Sequence, residues 1–99
     1  MKLPKNIKVG QLFYDVTEKP VIIIEEDRNF QGSCSYTNTA ITILDSLSEE
    51  RKKDVFFHEL THAIFYEAGF EDQDEDMINR VAKVIHQVMS ENDYKFSEK

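Results

Sequence analysis

The segment Val55-Phe56-Phe57-His58-Glu59-Leu60-Thr61-His62-Ala63-Ile64 decides how this chain reads. Val55, Phe56, Leu60, Ala63 and Ile64 recur at the spacings of one buried helical face, and no Gly or Pro interrupts them. His58 and His62 stand four residues apart, which on a helix is one turn up and about 40° round. Two imidazoles so placed can converge on one ion at zinc–nitrogen distances of about 2.0–2.1 Å. Glu59 projects at a neighbouring angle, near enough to take a proton from water at the metal but not to bind the ion. The pattern His-Glu-x-x-His on a helix therefore points to His58 and His62 as Zn2+ ligands and Glu59 as the catalytic base. The competing reading is two surface histidines flanking a chance glutamate.

Outward from this segment, Ser46-Leu47-Ser48-Glu49 matches a helix start with Ser46 or Ser48 as the cap. The pattern predicts a helix over 49–68, stopped by Gly69 in a left-handed conformation, with Phe70 folding back on the helix end. The acidic run Glu71-Asp72-Gln73-Asp74-Glu75-Asp76 favours the start of a second helix. Ile78, Val81, Ala82, Ile85, Val88 and Met89 form its inward stripe, and it ends near Asn92.

A hydrolytic zinc site usually takes three protein ligands and keeps one position open. Glu67, Glu71, Asp72, Asp74, Glu75, Asp76 and His86 are the candidates for the third. Helical phase favours Glu75, which opens the stripe continued by Ile78, Ala82, Ile85 and Met89. Asp76 phases with Arg80, Lys83 and Gln87, a solvated face, and Glu67 lies too far round the first helix. His86, at the edge of the stripe, and Asp74 and Asp76 stay as alternatives. Tyr36 and Tyr66 are candidate oxyanion donors, although packing is the commoner use of such residues.

The first half of the chain has a different period. Residues 7–16 have strand character, and Val21-Ile22-Ile23-Ile24 reads as a buried strand in preference to a short helical segment. Gln31-Gly32-Ser33 reads as a turn. The clearest strand is predicted over 39–44, where Thr39, Ile41 and Ile43 alternate with Ala40, Thr42 and Leu44. Lying just before the metal helix, it is expected at a sheet edge, open to an extended substrate. The fold class is thus α+β: a small antiparallel or mixed strand layer packed on two helices, in a single domain over 1–99.

A formal net charge of −7 argues against a general nucleic-acid binder, which needs basic groups to displace counterions from phosphates. The same charge disfavours an anionic membrane surface, and no apolar run approaches a membrane span. Met1-Lys2-Leu3-Pro4-Lys5 has no apolar signal core behind it, and the lone Cys34 has no partner for an intrachain disulfide. Both suggest a cytoplasmic protein, with Cys34 a half-buried structural thiol.

The segment His58 to His62, continued by Ala63-Ile64 and closed by Gly69-Phe70, resembles the short zinc metallopeptidases of bacteriophages and mobile elements, of the ImmA/IrrE type. Glu75 and the run Ile78-Asn79-Arg80-Val81-Ala82 join the likeness, as do Gly32-Ser33-Cys34-Ser35-Tyr36 and Ala40-Ile41-Thr42-Ile43. It spans roughly residues 31–89, and only the His-Glu-x-x-His segment is highly specific. The larger members have an acidic-Ala-Asn-Arg-Phe-Ala segment, where this chain has Met77-Ile78 before Asn79-Arg80. The resemblance implies a minimal zincin: zinc held by two histidines and a downstream acidic residue, hydrolysing a peptide bond in a protein substrate, a repressor in the regulatory members. The alternative is a non-catalytic zinc-stabilised protein-binding module. A DNA-associated peptidase of the SprT-like sort is disfavoured by the acidic charge.

Overall fold

The structure, a computed structural model, describes residues 2–92. Two strands, β1 (Asn6–Val9) and β2 (Leu12–Lys19), form an antiparallel hairpin in which Val9 faces Leu12. Gly10 takes φ 61° at the first position of the two-residue turn, a conformation that costs glycine little. Two further strands follow, β3 (Gly32–Ser35) and β4 (Ala40–Leu44), then helices α1 (Glu49–Glu67) and α2 (Glu75–Glu91). The α+β class expected from the pattern is what forms: a four-stranded mixed sheet and two helices.

The strands lie in the order β1-β2-β4-β3, with β2 and β4 parallel and β3 antiparallel to β4. One sheet face is covered by α1. Tyr14 and Val16 from β2 and Ile41 and Ile43 from β4 meet Phe56, Phe57, Leu60 and Ala63 of the helix in the main core. In turn, α2 packs on α1 and on no other element among the described residues. No helix among them is long and apolar enough to cross a membrane.

Four expectations need correction. Residues 40–44 do form a strand, but β4 is central, flanked by β2 and β3, and not an edge. Alternation registers which face is buried and carries no information on how many neighbours a strand has. The edge beside α1 is β3, so Gly32 and Ser33 lie in a strand and not in a turn. Val21 to Ile24 is not a strand: β2 ends at Lys19, Pro20 lacks a ladder donor, and only Ile24 pairs, in an isolated bridge to Asp27. Glu25 and Glu26, at φ 50° and 69°, make the tight turn between those two. In the helices the buried faces are turned slightly from the expected ones. Phe57 and Thr61 are buried whereas Ile64 is exposed, and Val88 and Met89 on α2 are exposed too.

Candidate metal centre

Helix α1 begins at its N-cap Ser48, whose hydroxyl accepts from the Arg51 amide, which settles the choice between the two serines. Its other end closes at Gly69, φ 102°, where the Phe70 amide donates to the Phe65 carbonyl (2.9 Å) and the two rings lie 5.9 Å apart. Between these caps, Phe57, Leu60 and Thr61 anchor the helix, the Thr61 hydroxyl donating to the Phe57 carbonyl at 2.7 Å. That anchoring leaves His58, Glu59 and His62 half-buried on a cleft of about 600 Å3 between α1, β3 and residues 24–31.

Asp74 caps α2 by accepting from the Asp76 amide, which makes Glu75 its first helical residue. From there the Glu75 carboxylate reaches across to α1. Its Oε1 lies 2.7 Å from His58 Nε2 and its Oε2 lies 3.3 Å from His62 Nε2. One ligand atom from each of the three residues falls within 4.8 Å of the others. The donor set, two imidazole nitrogens and one carboxylate, suits Zn2+ and is the number usual at a hydrolytic zinc site.

The other third-ligand candidates are engaged elsewhere. Glu67 accepts a 2.6 Å hydrogen bond from the Tyr14 hydroxyl, Asp74 serves as the cap, and Asp76 faces Arg80 at 3.7 Å on the surface. His86 stacks on Phe57 and faces Asp54 at 3.6 Å, and it is not part of the cluster formed by the two histidines and Glu75. Glu71 and Asp72 are exposed on the connector between the helices.

Burial holds the Glu59 carboxyl above its ordinary pKa, with the Glu75 charge adding to it and the two neighbouring imidazoles opposing it. Cys34, on β3, is pushed up to about 12 by burial and by the Glu59 and Glu67 charges, so it remains a neutral thiol. Burial also raises Tyr36, which stays protonated and stacks on Tyr66 with ring centroids 4.0 Å apart.

Sequence reasoning missed Gln73. Its side chain touches His62, Phe70 and Tyr36. The available signal was chemical: Gln73 is the single neutral residue in a six-residue acidic run whose other members are all third-ligand candidates.

The edge of β3 completes the cleft. The Leu44 amide donates to the Gln31 carbonyl at 2.9 Å, so Gln31 and Leu44 form a hydrogen-bonded antiparallel pair. Pairs alternate along such a ladder, which turns the backbone groups of Gly32 and Cys34 outward from β4. Compared with family models, curated proteins and solved structures, the chain finds no match.

Proposed function

We propose that this protein is a zinc-dependent peptidase acting on an extended segment of a protein or peptide substrate. The observation that carries the reading is the convergence of His58 Nε2, His62 Nε2 and the Glu75 carboxylate beside the half-buried Glu59, on a cleft bordered by a strand edge that is unpaired among the described residues. The three side chains would hold Zn2+, which when bound supplies Lewis-acid polarisation of a carbonyl and lowers the pKa of water. A substrate strand would pair with the outward N–H and C=O groups of Gly32 and Cys34, taking the role expected of residues 39–44. That register would lay a peptide bond across the cleft in front of Glu59.

The Glu59 carboxylate then takes the proton of the attacking water and returns it to the leaving amine. Its basicity, raised by burial, favours the first of these transfers. The excess of acidic residues, 19 against 12 basic ones, argues for a protein partner and against nucleic acid or an anionic membrane. With Cys34 kept as an inert thiol, a reducing, cytoplasmic setting accords with the composition.

A second reading, a metal-stapled binding module without turnover, draws on a different observation. Since α2 rests on α1 alone among the described residues, an ion held by His58, His62 and Glu75 would fasten it. Three variants of the zinc-loaded protein separate the readings, assayed on a labelled unfolded protein alongside metal affinity. Glu59→Gln is expected to keep zinc and lose about 10²–10⁴-fold in turnover. Glu75→Ala should weaken zinc binding, and Asp76→Ala should do neither. Full activity in Glu59→Gln would show the proposed base to be wrong. Wild-type protein that binds zinc but never cleaves would favour the module.

A further inference from the structure

We infer that Gln73 is a positioning residue of this metal centre, its amide oxygen holding His62 as the Nδ1–H tautomer so that the Nε2 lone pair is turned toward Glu75. The inference rests on the metal-centre reading above. Gln73 Nε2 donates to two backbone carbonyls, those of Phe70 at 3.1 Å and His62 at 3.3 Å. A carbonyl oxygen offers no proton, so the amide nitrogen belongs on that side and its oxygen on the other.

Gln73 Oε1 thereby lies 2.6 Å from His62 Nδ1. An amide oxygen only accepts, so the proton in this short contact sits on Nδ1. Neutral imidazole carries a single N–H, which leaves Nε2 with its lone pair free for a cation. That is the nitrogen 3.3 Å from Glu75 Oε2. The Tyr36 hydroxyl, just beyond β3, donates to the same Gln73 oxygen at 3.4 Å. With the competing acceptor site filled by a donor, the oxygen is held facing His62.

The position of Gln73 in the chain gives this a second consequence. It precedes Glu75 by two residues on the connector, and its amide binds that connector to the His62 carbonyl of α1. One side chain therefore orients the ligand on α1 and locates the ligand on α2. Partners of this kind, hydrogen-bonded to the far nitrogen of a ligating histidine, commonly change metal affinity by about 10–100-fold when removed.

The test has two arms, on wild type, Gln73→Leu and Gln73→Glu. In the first, long-range proton–nitrogen NMR of the 15N-histidine-labelled, metal-free protein reads the His62 tautomer at alkaline pH, where imidazoles are neutral. Wild type and Gln73→Glu, which keeps an acceptor at the same reach, should carry the proton on Nδ1. Gln73→Leu should lose that preference. In the second, chelator competition measures zinc affinity, expected to fall about 10–100-fold in Gln73→Leu and to be largely restored in Gln73→Glu. An Nε2–H tautomer in wild type, or an unchanged tautomer and affinity in Gln73→Leu, would overturn the role assigned to Gln73. Wild-type protein that takes up no zinc would overturn the metal centre instead, and the two failures are distinguishable because the tautomer is read without metal.

Discussion

A Cβ on residue 32 would lie 2.4 Å from Val55 Cγ1 and 3.2 Å from Glu59 Oε2. Glycine at this point is what allows the open edge of the sheet to approach the proposed catalytic base. Val55 is β-branched and stiff at χ1, so it has little room to yield. Gly32→Ala is therefore expected to destabilise the protein by about 1–3 kcal/mol through overpacking, measured by thermal or urea unfolding. Adding Val55→Ala should recover part of the loss, because it removes the atom in conflict. A neutral Gly32→Ala would mean that β3 and α1 do not approach so closely. In the sequence Gly32 reads as a turn residue, the common use of glycine. Its actual use, close approach of strand to helix, depends on two side chains more than twenty residues away. His58, Glu59 and His62 were legible because their chemistry is spaced within one helical turn.

At the scale of elements, the two helices and the β4 strand were readable from periodicity and caps, whereas strand order was not. A run such as Ala40-Ile41-Thr42-Ile43-Leu44 announces one buried face, yet its neighbours are fixed by a parallel pairing with β2, twenty-five residues upstream at Asp15↔Ala40. Such pairing depends on chain reversal and helix packing, which leave no mark within the strand. The same limit explains Val21 to Ile24, an apolar run of strand composition without a ladder to join. Long-range side-chain ties also join these elements, among them one from β2 to the end of α1. The buried Tyr14 hydroxyl on β2 donates to Glu67 in the last turn of α1 at 2.6 Å. Tyr14→Phe keeps the ring packing and deletes only this bond, so it should lower stability by about 1–2 kcal/mol. A lower urea midpoint at unchanged denaturant dependence is the expected result. An unaltered midpoint would show that the bond does not contribute.

For the molecule as a whole, the architecture is a stack of sheet, α1 and α2, in which the outer helix has a single neighbouring element among the described residues. The candidate metal centre spans that last junction, with two ligands on α1 and one on α2. A cation bound there only in the folded state would add stability by mass action, reaching about 2.7 kcal/mol at a hundredfold excess over its dissociation constant. That Glu75 lies beside the two histidines was legible from helical phase, because the stripe from Ile78 to Ile85 packs as that phase required. The place of Gln73 was not, since it lies in a connector with no period. The most direct measurement is the zinc content of purified wild-type, His58→Ala and His62→Ala proteins, by mass spectrometry after dialysis. About one zinc per chain is expected in wild type and almost none in either variant, because two protein ligands seldom hold the ion alone. Equal metal content in all three, or none in wild type, would contradict the metal centre and the peptidase reading built on it.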